Sequence, residues 1–337
     1  MAAALAELGF RRAAPGPGTL EFLSVGGGRQ KMTWSRPAMG TLVTVTAIHR
    51  SRDLAQDAAG RAFNEMDRVV ALLSRYEPSS ALSVLNAEGI LRAPPPELRA
   101  VVSGALRFHI ASRGAFDPTV RPLVDLFRGS TRAPPSDELR QAIDLVDARR
   151  VKLRRRSIRF DRDGMGMTLD GIAKGFVVDR MAEMLAARGL EDFLIDAGGD
   201  IRSAGRREDG QPWRVAVQDP AKEGVFPDVI LLTDGAVATS GSYETYFDRA
   251  RTRHHIVSGR GGGSPQESLS VSAVAPTALA ADALATAVFV MGPQCGRALV
   301  DSLPQCACFV VDGLGRTFSS ARWRSANGLS TSKAGTS

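Results

Sequence analysis

Residues 278–292 read ALAADALATAVFVMG, and thirteen of these fifteen residues are small or apolar. Ala and Leu favour helix, Thr277 stands where a capping hydroxyl belongs, and Gly292-Pro293 is a terminating pair. The stretch is therefore predicted to be a helix in apolar surroundings, beginning after Thr277 and ending at Gly292. Asp282 and Thr286 interrupt it four residues apart, which places carboxylate and hydroxyl on one helical face. An unpaired carboxylate there costs roughly several kcal/mol unless something compensates it. A buried Arg or Lys is one compensation. A hard metal ion such as Mg²⁺, held by both side-chain oxygens, is the other. The stretch by itself leaves both open.

The remaining composition narrows the class. With 337 residues, 44% hydrophobic and 23% charged, the chain has the make-up of an ordinary globular protein of one large or two smaller domains. No apolar run is predicted to cross a bilayer. The net charge of +7 owes much to the run from Arg149 to Arg156, inside a predicted hairpin and without interleaved aromatics. That pattern fits a solvated strand face better than a nucleic-acid groove. Cys295, Cys306 and Cys308 lack zinc or redox spacing and are expected to be buried thiols rather than a disulfide framework. The first 22 residues carry no basic region followed by an apolar core, so a cytoplasmic protein is expected, unless an exported form uses a different start.

Pro15, Pro17 and Gly26-Gly27-Gly28 suggest a flexible leader over 1–30, an ordered domain over 31–323, and a Ser/Thr/Gly-rich disordered tail over 324–337. Within the domain, hydrophobic spacing predicts helices near 54–73, 79–86, 97–113 and 172–188. It predicts strands near 41–47, 167–169, 193–197, 213–218, 228–239, 271–275 and 308–311, with a hairpin over 151–160. Strands and helices mix without strict alternation, which favours an α+β fold over a doubly wound sheet.

Several stretches have residues suited to chemistry. Met167 to Asp179 (MTLDGIAKGFVVD) runs through glycines into a helix start, where free N–H groups suit a phosphate and Lys174 can neutralise it. Asp196-Ala-Gly-Gly-Asp200 is a tight turn after an apolar strand, and Phe116-Asp117-Pro118-Thr119 is a turn in which Asp117 can cap backbone N–H groups. His254-His255 precedes a Gly-rich loop, and a loop histidine can act as a general base. In an extended segment the two rings point to opposite sides, so His254 is expected to be a silent neighbour. No zinc spacing and no nucleophile elbow is present in the sequence.

The motifs occur in a definite order: Met39-Gly-Thr41, Gly114-Ala-Phe-Asp-Pro-Thr119, Asp170-Gly-Ile-Ala-Lys-Gly175, Ala197-Gly-Gly-Asp200, Thr239-Ser-Gly241, His255-Ile256 and Ala281-Asp-Ala-Leu-Ala-Thr286. In this combination the chain resembles the ApbE-type flavin transferases (FAD:protein FMN transferases) from about Met39 to Gly292. The resemblance implies an α+β fold of two packed lobes, with mixed or antiparallel sheet and helices and the FAD site between them. It implies Mg²⁺-dependent transfer of FMN from FAD to a threonine of an acceptor flavoprotein, a redox or electron-transfer subunit, with release of AMP. Mg²⁺ ligands then fall at Asp282, Thr286 and the Gly171 backbone. FAD contacts fall at Met39, Tyr76, Ala115, Phe116, Asp117, Thr168, Asp170, Lys174, Gly198, Gly199, Asp200, Thr239, Ser240 and Gly241. Lys174 would assist the charge on the leaving phosphate, and His255 would take the threonine proton. No nucleic-acid partner and no transmembrane segment is implied, and members of this family are often periplasmic.

The chain departs from the family pattern in two places. Thr168 stands where an acidic residue is frequent and Asp170 where Gly is commoner. Ser258-Gly-Arg-Gly-Gly262 replaces the usual Asp-Pro-Arg-Thr-Gly. Two other functions share the same site: an FAD diphosphatase with water as acceptor, and an FAD-binding paralogue without transfer.

Overall fold

The computed structural model describes residues 18–129, 134–218, 220 and 226–324. Its first element is β1 (Leu20–Val25), paired antiparallel with β2 (Arg29–Ala38), which pairs in turn with β3 (Thr41–His49). Residues 18–30, predicted as part of a flexible leader, are thus mostly a hairpin. Gly27 and Gly28 adopt φ of +74° and +69°, and these glycines supply the turn that joins the strands. Residues 1–17 of that leader, and 325–337 of the predicted tail, lie outside the described residues.

The chain continues through α1 (Arg52–Leu73), α2 (Ala81–Glu88), β4 (Ile90–Arg92), α3 (Pro96–Ala111), α4 (Arg121–Arg128) and α5 (Ser136–Asp144). Then come β5 (Val151–Arg154), β6 (Ser157–Phe160), α6 (Ala173–Ala187), β7 (Asp192–Ala197), β8 (Ile201–Ala204), β9 (Trp213–Ala216) and β10 (Val229–Leu232). The last elements are β11 (Gly235–Gly241), β12 (Ser268–Ala275), α7 (Ala278–Ser302), β13 (Ala307–Asp312) and β14 (Thr317–Ser319).

Nine strands form one antiparallel sheet in the order β1-β2-β3-β7-β8-β11-β12-β13-β14. Period-two alternation gives the sheet two buried faces. Val43, Val45, Ile195, Ala238, Val271 and Ala273 point into the main core shared with α1, α6 and α7. Ile48, Ile201 and Val237 point the other way, onto Trp213, Val215, Ile230 and Leu232 of the β9–β10 ribbon. A smaller cluster joins Leu123, Val124 and Phe127 of α4 to Ala142 of α5 and Val257. This is an α+β fold, as expected from the mixed order of elements.

Three boundaries differ from the sequence prediction. Residues 167–169 are extended but join no ladder: the Asn86 side chain accepts from the Met167 N–H (2.7 Å) and donates to its carbonyl (2.9 Å). The predicted strand over 228–239 is two strands in different sheets, broken before Gly235. The helix beginning at Ala278 does not end at Gly292 but kinks there (φ 76°, ψ 170°) and runs on to Ser302. At 25 residues α7 is long and apolar enough to span a bilayer by length and composition, contrary to the expectation, yet most of it is buried in the core.

The α6–α7 packing is very close. A Cβ placed on Gly175 would lie 2.2 Å from the Ala278 carbonyl oxygen. Gly175→Ala is therefore predicted to destabilise the protein by about 1–3 kcal/mol through overpacking. Gly60→Ala, in the middle of α1 with its nearest neighbour 3.7 Å away, should instead raise stability by about 0.5–1 kcal/mol. Chemical denaturation of both variants checks the pair.

Candidate active site

The glycine turn after Leu169 delivers the chain into α6, with Lys174 and Gly175 in its first turn. The antiparallel neighbour α7 presents Asp282 and Thr286 to that turn. The Gly175 N–H donates to Asp282 Oδ2 at 3.1 Å. One turn further along α7, the Thr286 hydroxyl lies 3.3 Å from Ser240 Oγ at the end of β11. A Cβ on Gly171 would lie 2.7 Å from Thr286 Oγ1, so that backbone runs directly against the hydroxyl.

Asp200 approaches from the β7–β8 turn. Gly198 and Gly199 take φ of +69° and +98° there, and the Gly199 N–H donates to Asp196 Oδ1 at 2.9 Å. The Ala197 N–H donates to the Asp200 carbonyl, closing the turn. The turn carries Asp200 into a buried position, where its Oδ2 lies 2.8 Å from Lys174 Nζ. No hydrogen-bond donor is aligned on that oxygen among the described residues.

A partly exposed lysine is present, but it pairs with Asp200 rather than with Asp282. Asp282 keeps one backbone donor and no ion pair within 4 Å among the described residues. Burial pushes the Asp282 carboxyl well above the usual range, the charge of Asp200 adds to this, and Lys174 opposes it. Asp200 is raised by burial against the same ammonium. Burial disfavours the Lys174 ammonium, yet the two carboxylates outweigh it and raise its pKa. Two buried carboxylates against one ammonium leave a negative excess, beside hydroxyl and backbone oxygens. Such hard oxygen donors fit Mg²⁺. No group of three or more His, Cys, Asp or Glu side chains placed to hold a metal ion occurs among the described residues.

The loop after β11 adds the histidines. His255 donates its backbone N–H to the Thr245 carbonyl, and its Nδ1 lies 3.4 Å from the same oxygen. Burial lowers its pKa, and the charges of Asp170 and Glu244 oppose that while Lys174 adds to it. The alternation expected for His254 and His255 does not hold, because the chain bends at His255 and the two rings meet edge-on with centroids 6.3 Å apart. Nor is His254 a silent neighbour. It is 1% exposed, with Nε2 2.9 Å from the Pro265 carbonyl and its ring edge-on to Phe289 of α7.

The other expected contacts are distributed unevenly. Met39 (φ 52°) and Gly40 form the β2–β3 turn. Asp170 meets Arg75 at 3.4 Å, and its N–H donates to Thr168 Oγ1 at 3.3 Å. Tyr76 is exposed, with the guanidinium groups of Arg75 and Arg128 each about 5.5 Å from its ring centre. The turn at Ala115 serves the fold. Phe116 is buried edge-on to Phe108, and the Asp117 carboxylate is taken up by the Thr119 and Ala148 N–H groups and by His109 at 3.2 Å. Thr239 pairs with Ser272 at 2.7 Å on the sheet face away from Ser240, and Gly241 is covered by Tyr243. The clamps by Asn86 and Arg75 were not anticipated, because each joins residues remote in sequence.

Residues 39–310 match the family whose description is ApbE. The chain belongs to the ApbE family. It is 33% identical to the FAD:protein FMN transferase of Treponema pallidum, over 83% of this chain and 85% of that protein. It is 30% identical to the protein of the same name from Escherichia coli K12, over 70% and 71%. Among solved structures, the ApbE protein of Thermotoga maritima superposes with a TM-score of 0.79 at 28% identity, covering 87% of this chain and 97% of that one. The flavin transferase ApbE of Vibrio cholerae gives 0.74 at 26%, covering 90% and 98%.

In this ApbE chain the Lys174–Asp200 pair generates a pH-dependent prediction. The Lys174 side chain is 37% exposed, so solvent screens the pair. Lys174→Met should cost about 1–3 kcal/mol, below the value for a fully buried pair. Asp200 and Asp282 already have raised pKa values. Losing the ammonium raises them further, and protonation relieves the repulsion. The variant's stability deficit should therefore be large near pH 8 and shrink towards pH 5, as read by thermal unfolding at both pH values.

Proposed function

We propose that this chain transfers the FMN half of FAD to a threonine hydroxyl of an acceptor protein and releases AMP, with Mg²⁺ at Asp282, Thr286 and the Gly171 backbone. The observation that carries this reading is the buried Asp282 carboxylate, left with one backbone donor among the described residues, with Thr286 one turn further along the same helix and the Lys174 charge acting on it. The shared name of the curated relatives supports the flavin chemistry. When bound, Mg²⁺ would offset negative charge on the diphosphate oxygens.

The chain's own groups supply the remainder. In the transfer, the threonine oxygen bonds to the phosphorus of the FMN half. The bond from that phosphorus to the bridging oxygen breaks, and AMP leaves with that oxygen. Lys174 stays protonated because Asp200 and Asp282 raise its pKa, and it provides fixed positive charge next to the leaving phosphate. His255 is held neutral by burial. Its Nδ1 faces a carbonyl, which can only accept, so the proton sits there and Nε2 keeps the lone pair for the threonine proton. The acceptor in this reading is a redox or electron-transfer subunit.

Incubation with FAD, Mg²⁺ and an acceptor protein should give one AMP per FMN-sized mass gain on threonine. AMP with free FMN and no mass gain would instead establish a diphosphatase, and bound FAD without AMP a carrier. Asp282→Asn should lose at least about 10²-fold in transfer while the metal-free protein is no less stable than the parent, because a costly buried charge is gone.

His255→Ala should keep FAD affinity and slow single-turnover transfer by about 10²–10⁴. The transfer rate of the unaltered protein should fall on acidification, with its midpoint below the ordinary histidine value of about 6.5, since burial depresses this group. A midpoint above that value, or an intact rate in His255→Ala, would remove the histidine from the base role.

A further inference from the structure

Asp179 lies on α6 outside the cluster just described, and both oxygens of its carboxylate bond to a different helix. Oδ1 accepts from the Ala278 N–H at 2.8 Å and Oδ2 from the Leu279 N–H at 2.9 Å. These N–H groups belong to the first turn of α7 and have no acceptor within their own helix. That helix already has an ordinary cap, since Thr277 Oγ1 accepts from the Ala280 N–H at 3.2 Å. Asp179 therefore does something the local cap does not: it fastens the start of α7 to a fixed position on α6. Arg202 of β8 braces the same junction, donating to the Pro276 carbonyl and approaching Asp179 Oδ1 at 3.9 Å.

The attachment repeats turn by turn. Asp179 meets Ala278 and Leu279, Gly175 meets Asp282, and Gly171 meets Thr286. Each step moves four residues back, first along α6 and then into the turn that precedes it, and three or four forward along α7, as expected for antiparallel segments matched one turn at a time. A slip of one residue would shift α7 by about 1.5 Å and turn it by about 100°, taking Asp282 off the Gly175 N–H. The Gly175–Ala278 approach permits close packing but contributes no directional bond to fix the register. The middle and last rungs lie within the site itself.

We propose that Asp179 is a positioning residue which sets the α6–α7 register and so assembles the oxygen donors for a divalent cation. The proposal rests on the metal reading given above. The carboxylate is well suited to the task because it has two oxygens for two adjacent N–H groups. Asn offers one acceptor and turns a donor against the second N–H.

The test uses Mn²⁺ as the probe on the full chain, with Asp179→Ala, Asp179→Asn and Thr277→Ala compared against the parent. Mn²⁺ affinity is read by paramagnetic resonance, and amide exchange at Gly175 is read without metal. Asp179→Ala should weaken Mn²⁺ binding at least tenfold and lose protection at the Gly175 N–H, with Asp179→Asn between it and the parent. Thr277→Ala removes the local cap of the same helix, and it should leave Mn²⁺ affinity within twofold and Gly175 protected. Equal losses in the Thr277 and Asp179 variants would reduce Asp179 to a second helix cap. Unchanged affinity and exchange in Asp179→Ala would overturn the proposal outright. If the parent binds no Mn²⁺, the metal reading fails and the assembly claim with it, and Gly175 exchange still decides whether Asp179 sets the register.

Discussion

The contact between the Gly175 backbone and the start of α7 governs the rest of the site. It requires the absence of a side chain, because any Cβ would overlap the Ala278 carbonyl. It brings two helices together closely enough for a backbone N–H on one to reach a carboxylate on the other. Without that bond Asp282 would be a buried charge with no hydrogen-bond partner from α6 among the described residues. The close approach thus gives an awkward residue in an apolar helix its one backbone donor among the described residues.

Charge compensation at the centre is shared among three groups rather than made by a simple pair. Lys174 is ion-paired with Asp200 yet acts on Asp282 as well, and the charge of Asp200 raises the cost of ionising Asp282. Such an arrangement is strained electrostatically, with two buried carboxylates against one ammonium. The strain is sustained by the surrounding core, where the nine-stranded sheet and α1, α6 and α7 bury an extensive apolar surface. Hydrophobic burial on that scale can support a few kcal/mol of unfavourable charge placement.

Adjacent residues of similar chemistry find different partners. His254 fills a core position against Phe289, whereas its neighbour His255 is held by the Thr245 carbonyl. Ser240 reaches the Thr286 hydroxyl, and Thr239 bonds to Ser272 on the far face. Asp117 gives a further lesson. Its carboxylate organises a turn and holds His109, whose pKa is raised mainly by that bond. A motif residue of the family here serves the local backbone, and its proximity in sequence to other site residues says nothing of where its oxygens point.

The sequence by itself determined the local character of the chain. Apolar periodicity marked α1, α3, α6 and the first half of α7, alternation marked β3, β7 and β12, and the order of short motifs carried the family. These features are legible because each depends on residues within a turn or two of one another. The short helices α4 and α5 and the hairpin over 18–30 were missed. Eight or nine residues hold too few periods to stand out, and a triple glycine signals a tight turn as readily as disorder. Only the tertiary structure decided which carboxylate Lys174 neutralises, that Asn86 holds Met167, and that Asp179 fastens α7 to α6. Each of those contacts joins residues about 25 to 100 positions apart. Their partners are chosen by the register of packed helices and strands, a property of the whole core that no local pattern encodes.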